Sequence, residues 1–209
     1  MDTRKTRTWA EVSHGALRHN VEEMQRALPD GCGLLGVVKA DAYGHGASEI
    51  AAALRECGCR YLAVACPQEA LALRNAGETM PILILGAVDA AFASDMAAND
   101  ITLSVECAEK GRALSAALRG GERLRIHLKL DTGMGRLGFR VQDETALREA
   151  AAAAQLPNLD AEGVFTHFSV SDTPGEEEYT AAQLALFLSA VEKLEAMTAV
   201  CSVGIDMVI

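Results

Sequence analysis

The chain lacks any block of basic residues, and its acidic residues outnumber its basic ones. Its 209 residues include 29 Asp and Glu against 19 Lys and Arg, which gives a net charge of −10. Such a balance argues against nucleic acid and anionic membranes as partners. No apolar run approaches the ~20 residues of a membrane span. The start, MDTRKTRTWAEV, lacks the apolar core of a signal peptide. We therefore expect a cytoplasmic protein.

A metal or redox motif is also missing from the cysteines. No C-x-x-C pair occurs, and Cys57 and Cys59 are separated by a single residue. The chain is not a short secreted scaffold of the kind that disulfides stabilise. We predict reduced, mostly buried thiols for the six cysteines, which are Cys32, Cys57, Cys59, Cys66, Cys107 and Cys201.

No G-x-G-x-x-G follows the first predicted strand, so the signature of nucleotide binding is absent too. What the chain does have is a hydrophobic content of 50% and a regular alternation of strand-like and helix-like segments. This alternation predicts one α/β domain with a parallel sheet, either open and doubly wound or closed as a barrel. The predicted strands are 34–40, 60–65, 81–87, 101–106, 124–131 and 159–169, and the predicted helices are 13–28, 46–57, 67–76, one ending near 98, 107–119, 143–155 and 174–197.

Six strand–helix units are fewer than a complete (β/α)8 barrel contains. That barrel takes eight units and about 250 residues. The tail MTAVCSVGIDMVI can supply one more strand but not two further units. For the first helix we predict Ser13 as N-cap and an apolar face that includes Val21 and Met24, and for the last helix a start at Thr173 and Pro174.

Lys39 ends the apolar stretch GLLGVVKA, which is typical of a buried strand. A charged amine in that position is costly unless it is paired or chemically used. One interpretation is a lysine whose stem packs on the strand while its amine reaches water. The other is a lysine of lowered proton affinity that serves as a nucleophile in Schiff-base chemistry.

Other polar residues gather where the predicted strands end, which is where barrel enzymes place their active sites. Each has a plain structural alternative: Lys129 and Asp131 as an ion pair, Arg136 as a tie within its loop, and His167 as a core histidine bonded to a carbonyl. The residues in question are Asp41 and Tyr43 after the first strand, His127, Lys129 and Asp131 on one face of the fifth, Arg136 in the loop DTGMGRLGF, and His167 and Ser169 on the sixth.

At these positions the sequence resembles alanine racemase. The resemblance lies in TWAEV…ALRHNV (8–21), VVKADAYGHGA (37–47), PILILGA (81–87), HLKLDTGMGRLGF (127–139) and GVFTHFS (163–169). It implies a PLP-binding (β/α)8 TIM-type barrel, truncated here after about six units, and pyridoxal 5′-phosphate (PLP) as cofactor. It further implies an isomerase that interconverts L- and D-alanine, supplies D-alanine for peptidoglycan and acts as a homodimer.

The same resemblance implies roles for six residues. Lys39 would hold the cofactor as a Schiff base and act as a catalytic base, and Tyr43 would bond its phosphate. Arg136 would face the phenolic oxygen of the cofactor and the substrate carboxylate. Three further residues would support the site: Leu85 packs near the ring, His167 lies beside the cofactor, and Lys129 occupies a position that is often carbamylated and paired with the arginine.

The resemblance covers only the N-terminal barrel portion of that family. The family's second base is a tyrosine from a C-terminal β-domain of the partner subunit, and the loops after strands seven and eight help to bind phosphate. We therefore expect residues 1–12 to pair with a β-domain that this chain lacks, and residues 13–209 to form an incomplete barrel. Two alternatives follow: an inactive racemase-like fragment, and a single-domain PLP-binding regulatory protein.

Overall fold

The computed structural model describes residues 8–198. In this range the strands are β1 (Leu35–Val37), β2 (Tyr61–Val64), β3 (Ile82–Ile84), β4 (Ile101–Val105), β5 (Leu124–Asp131), β6 (Phe139–Arg140) and β7 (Leu159–Phe165). The helices are α1 (His14–Ala27), α2 (Ala47–Glu56), α3 (Pro67–Asn75), α4 (Ala93–Ala98), α5 (Ala108–Ala117), α6 (Glu144–Ala154) and α7 (Glu177–Met197), with a 3₁₀ turn at Ala90–Phe92 before α4. Lys39–Gly44 forms a separate, left-handed turn.

The sheet is parallel throughout the described residues. β1, β2, β3, β4 and β5 pair in chain order, and β5 also pairs with β7. The two-residue strand β6 pairs with the end of β5. The predicted class, an α/β fold of six strand–helix units, is therefore confirmed. Because all strands run in one direction, their carboxyl ends meet at one end of the sheet, and the polar residues that follow them meet there as well.

The two faces of the sheet pack in different ways. Successive residues of a strand point to opposite faces, so Leu62 and Val64 join the large core that includes the helices. Ala63 between them points to the other face, where it forms a second cluster with Leu83 and Phe165. This second face is the interior of the barrel.

Below that cluster, near the amino ends of the strands, lies a polar group that we call the floor cluster: Tyr61, Thr102, Arg125, His127 and Glu162. Tyr61 Oη and Thr102 Oγ1 both donate to Glu162 Oε1, at 2.9 and 2.7 Å. His127 Nε2 and Arg125 Nε lie 3.7 Å from the two carboxylate oxygens. Burial opposes ionisation of Glu162, but its contacts with His127, Thr102, Tyr61 and Arg125 outweigh burial and lower its pKa to about 2.

The first helix agrees with the predicted cap but not with the whole predicted face. Ser13 Oγ accepts a hydrogen bond from Ala16 N at 3.2 Å, as an N-cap does. Val21 is buried, whereas the prediction for Met24 is wrong, because its side chain is 58% exposed. Of the residues of α1, only Val21 is buried, so its contact face is narrower than the apolar pattern indicates.

The last helix begins later than predicted. Thr173 and Pro174 lie in the preceding turn, and α7 starts at Glu177. Gly175 has φ of +90°, a left-handed conformation that interrupts any right-handed helix. The start predicted at Thr173 and Pro174 is therefore wrong.

The cysteines are less buried than predicted. The five described ones are free thiols, but of these only Cys59 is buried, and Cys32 and Cys107 are exposed in the segments between strands and helices. Burial, followed by the nearby Cys57, raises the pKa of the Cys59 thiol. Cys201 and the rest of the tail from residue 199 onward lie outside the described residues. None of the described helices combines the length and the hydropathy of a membrane-spanning segment.

Candidate active site

One cavity opens at the carboxyl ends of the strands, with a volume of about 170 Å³. Its lining contains every residue to which the resemblance assigns a role: Lys39, Tyr43, Leu85, Lys129, Arg136 and His167. Four further lining residues have no predicted role: Val37, Leu137, Phe165 and Thr166. The fold thus brings together residues that are up to 128 positions apart in the sequence, counting from Lys39 to His167.

Lys39 and Tyr43 are presented by the left-handed turn after β1. The four residues from Ala40 to Tyr43 have φ between +50° and +56°. Such a conformation costs roughly 1–2 kcal/mol per residue for a side chain with a Cβ atom, so surrounding contacts must hold it. Lys39 is half-buried, and its Nζ lies 5.8 Å from the centre of the Tyr43 ring, which is 62% exposed.

Two carboxylates hold this turn in place. Glu69, at the start of α3, accepts from Ala40 N at 2.8 Å and from Ala65 N at 2.7 Å, which joins the ends of β1 and β2. Asp41 Oδ1 accepts from Ala47 N at 2.7 Å at the start of α2. Asp41 therefore stabilises the backbone that carries Lys39 and does not itself line the cavity.

Lys129 is the more buried of the two cavity lysines, with 8% of its surface exposed. Its Nζ lies 4.6 Å from the centre of the Phe165 ring, within reach of a cation–π interaction. Burial first, and then the neighbouring Arg136 cation, lower the pKa of Lys129 to about 8, while Asp131 acts in the opposite direction. Among the described residues Lys129 has no carboxylate within 4 Å, so the alternative of a Lys129–Asp131 ion pair is wrong.

Asp131 instead organises the loop that carries Arg136. Its Oδ1 accepts from Gly133 N and Gly135 N, both at 3.0 Å. Gly138, at φ +125°, approaches the backbone so closely that a Cβ atom there would lie 2.8 Å from Lys129 O. The loop is thereby folded back on the end of β5, and Arg136 projects from it, exposed, at the cavity.

His167 lies beyond the strand on which it was predicted. β7 ends at Phe165, because the ladder to β5 stops at the Lys129–Phe165 pair. His167 is half-buried in the following segment and lines the cavity. Ser169 does not line it; both its backbone nitrogen and its hydroxyl donate to Gln183 Oε1 at 3.0 Å. His127 belongs to the floor cluster, one layer below the cavity.

Sequence reasoning missed the apolar wall of the cavity. Val37 and Phe165 are the last residues of β1 and β7, and a strict period of two from the strand ends could have placed them. Leu137 lies in a loop, between Arg136 and Gly138, and has no such signal. The left-handed turn gives only a weak signal, since of Ala40 to Tyr43 only Asp41 is a type that tolerates this conformation well.

The lining of the cavity combines cations, a primary amine and apolar side chains, which are groups that bind anions and react with carbonyl compounds. It offers one accessible primary amine, Lys39, two further cations, Lys129 and Arg136, and the side chains of Leu85 and Phe165 as apolar surface. The effect of Arg136 on the pKa of Lys129 shows two cations that repel each other, an arrangement that an anion would relieve. No group of three or more potential ligands for a metal ion occurs among the described residues.

Comparison with known proteins agrees with this geometry. Residues 12–204 match the family model described as "Alanine racemase, N-terminal domain". The chain is 39% identical over 188 residues to the alanine racemase of Desulforamulus reducens and 42% identical over 187 residues to that of Geobacillus stearothermophilus. These alignments cover 90% of this chain but 50% and 48% of the two relatives.

Solved structures give the same result. The alanine racemase of Clostridium difficile 630, in complex with cycloserine, superposes with a TM-score of 0.90 at 36% identity, over 98% of this chain and 55% of that one. The barrel class of the fold is thereby confirmed. The chain spans about half the length of the curated relatives it matches. From the motifs, the cavity and these matches together, the chain belongs to the alanine racemase family, of which it contains the N-terminal domain.

Proposed function

We propose that this chain binds PLP at Lys39 and provides the barrel half of a racemase that interconverts L- and D-alanine. The observation that carries the proposal is the single cavity in which Lys39, Lys129, Arg136 and His167 meet at the carboxyl ends of the strands. A lysine amine beside two cations and an apolar wall is the set of groups that a phosphate-bearing aldehyde requires.

Each lining residue has a task in this proposal. Lys39 Nζ would bond covalently to the aldehyde carbon of PLP, and Tyr43 Oη would donate to its phosphate. Arg136 would hold the phenolic oxygen and the substrate carboxylate. The remaining three would shape the site, with Leu85 against the ring, His167 beside it, and Lys129 as a buried cation whose pKa of about 8 lets it exchange its proton near neutral pH.

Bound PLP withdraws electrons from the α-carbon of an amino acid and so makes the hydrogen on that carbon acidic. As a free amine, Lys39 Nζ would be the base that removes or returns this hydrogen from one side. The apolar wall, which includes Leu85 and Phe165, would limit the access of water to that side.

Racemisation also needs a base on the opposite side. Tyr43 is the one tyrosine that lines the cavity within residues 8–198, and its task here is the phosphate. We propose that the second base is a tyrosine of a C-terminal β-domain in a partner subunit, against which residues 1–12 would pack. On this view the whole enzyme is a cytoplasmic homodimer that supplies D-alanine for peptidoglycan.

The first experiment adds PLP to the purified chain and to a Lys39→Ala variant. We expect a visible absorption band of lysine-bound PLP in the unmodified chain only, and borohydride should then fix the cofactor on Lys39, as peptide mass spectrometry can show. An equal band in the variant would refute covalent binding at this lysine. Lys110→Ala is a matched control, since Lys110 Nζ donates to Val88 O away from the cavity.

A second candidate function, PLP binding without turnover by this chain alone, is favoured by the half-length coverage of its relatives. A racemisation assay on the same PLP-loaded sample separates the two. We expect no measurable D-alanine from L-alanine with the 209-residue chain. Robust turnover would show that both bases lie within it.

A further inference from the structure

We propose that Gln183, on α7 and outside the cavity, is a positioning residue that couples the Arg136 loop (residues 132–138) to the His167 segment (residues 166–169). The proposal rests on the proposed function, because positioning has meaning only for a ligand in the cavity. Gln183 is 1% exposed, an unusual environment for an amide side chain unless its hydrogen-bonding groups are satisfied.

The amide of Gln183 uses all of its hydrogen-bonding capacity, and it divides its bonds between the two segments. On the side of the Arg136 loop, Nε2 donates to Thr132 Oγ1 at 3.2 Å. On the side of the His167 segment, Nε2 donates to His167 O at 3.3 Å. Oε1 accepts from both the backbone nitrogen and the hydroxyl of Ser169 at 3.0 Å.

The chemistry of these partners determines the orientation of the amide. A backbone N–H can only donate and a backbone carbonyl can only accept, so Oε1 must face Ser169 and Nε2 must face His167. In the reverse orientation, the amide nitrogen would face the Ser169 N–H, another donor, and the amide oxygen would face the His167 carbonyl, another acceptor. Gln183 therefore has one stable orientation, and that orientation spans both segments.

A directed chain of hydroxyls continues from the amide into the barrel. Thr166 Oγ1 donates to Leu130 O at 3.0 Å, so its single proton is used and it must accept from Thr132 Oγ1, 2.9 Å away. Thr132 in turn accepts from Gln183 Nε2. Both threonines are at most 2% exposed. The first residues of the two segments, Thr132 and Thr166, are thus bonded to each other, and Thr132 is also bonded to Gln183.

One helical turn earlier, Tyr179 adds a second attachment to the same loop. Its Oη donates to Gly133 O at 2.9 Å, although the tyrosine is 43% exposed. A Cβ atom at Gly133, which has φ of +139°, would lie 2.7 Å from Tyr179 Oη, so a side chain there would displace the tyrosine from this bond. Helix α7 therefore holds the Arg136 loop at two points, through Tyr179 and Gln183. It holds the His167 segment through Gln183 alone.

The test compares Gln183→Met, which keeps the size of the side chain and removes its hydrogen bonds, with the unmodified chain. The first readout is amide hydrogen exchange measured by NMR without PLP. The decisive amide is Gly135 N–H, which bonds to Asp131 and not to Gln183. We expect its exchange to accelerate at least tenfold, while amides in the middle of α2 and α5 do not change.

The second readout is PLP itself. We expect Gln183→Met to weaken PLP binding about tenfold and to reduce the circular dichroism of the bound cofactor. The matched control is Gln155→Met, for which we expect an unchanged urea midpoint. Gln155 bonds only to Ala151 O within its own helix end. Should Gln183→Met fold poorly, Gln183→Glu serves in its place, because it keeps the acceptor for Ser169 and sets an oxygen against His167 O.

Unchanged exchange at Gly135 would overturn the coupling, whether or not PLP binds. Accelerated exchange with unchanged PLP affinity and dichroism would overturn the positioning role. A failure of the unmodified chain to bind PLP would instead refute the proposed function, while the exchange measurement still decides the coupling.

Discussion

The two ends of the barrel interior are both polar, but only the lower end is balanced. In the floor cluster, the Glu162 carboxylate receives two hydrogen bonds and faces Arg125 and His127. At the mouth, Lys129 and Arg136 lie near each other, and the carboxylate of Asp131 is occupied by the backbone of its own loop. The same strands therefore carry a charge-balanced cluster at one end, in which His127 Nδ1 is the buried polar atom left without a hydrogen bond, and excess positive charge at the other.

This difference indicates that one end of the barrel interior serves stability and the other serves binding. A buried polar group whose partners are all present rigidifies the fold, whereas cations that repel each other at a cavity lower stability until an anion arrives. The floor cluster has the character of a structural network. The mouth has the character of a binding site, and three substitutions test this difference between the two ends.

The largest effect is expected for Gly163→Ala beneath the mouth. A Cβ atom at Gly163 would lie 2.5–2.6 Å from three atoms of the His127 ring, which is buried and cannot move aside freely. We expect the free energy of unfolding to fall by about 3 kcal/mol, measured by urea denaturation. Gly15→Ala, where the nearest atom is 3.9 Å away, should cause no loss.

A double mutant tests the cause of that effect. In a His127→Ala background the ring is gone, so Gly163→Ala should cost about 1 kcal/mol or less. An undiminished cost would mean that the glycine is needed for its backbone and not for the space it leaves to His127.

Glu162→Gln is expected to have the next largest effect, through the floor cluster. Because the pKa of Glu162 is lowered from 4.5 to about 2, the folded state binds fewer protons than the unfolded state between these values. Its stabilisation is thus present above pH 4.5 and lost as the pH falls toward 2. We expect the variant to be less stable by about 2 kcal/mol at pH 7, with the difference vanishing near pH 2. Calorimetry between pH 2 and pH 7 measures the difference in stability between the variant and the unmodified chain. A difference that does not change with pH would contradict the prediction.

Lys129→Met should have the smallest effect and the opposite sign. The pKa of Lys129 is lowered from 10.5 to about 8, so the folded state resists protonation and this group disfavours folding below pH 8. Its penalty disappears as the pH rises from 8 to 10.5. We expect the variant to gain about 1–2 kcal/mol at pH 7 and to lose this advantage over that interval. A variant that is less stable than the unmodified chain at pH 7 would show that the positive charge of Lys129 is compensated at the mouth.

Features that depend on local sequence patterns could be predicted, whereas features that depend on packing between distant elements could not. The order of strands and helices and the identity of Lys39, Arg136 and His167 follow from local patterns, since apolar periodicity and short motifs involve neighbouring residues. The exposure of Met24 and of most cysteines was predicted wrongly, because it depends on which surface a neighbouring element covers. The start of α7 was predicted wrongly because Gly175 adopts a left-handed conformation. Gln183 gives no local signal, as an amide on a helix is usually exposed.

Lys39 illustrates both what the sequence predicts and what depends on the fold. An α/β chain of six strand–helix units, with a lysine, an arginine and a histidine after particular strands, follows from the sequence, because alternation and strand ends are properties of contiguous residues. The folded structure adds that these residues line one cavity, that a left-handed turn held by Glu69 presents Lys39, and that Lys129 is a buried cation without a carboxylate partner within 4 Å. The reason is physical: burial, repulsion between cations and backbone strain all depend on residues that are distant in the chain and adjacent in space.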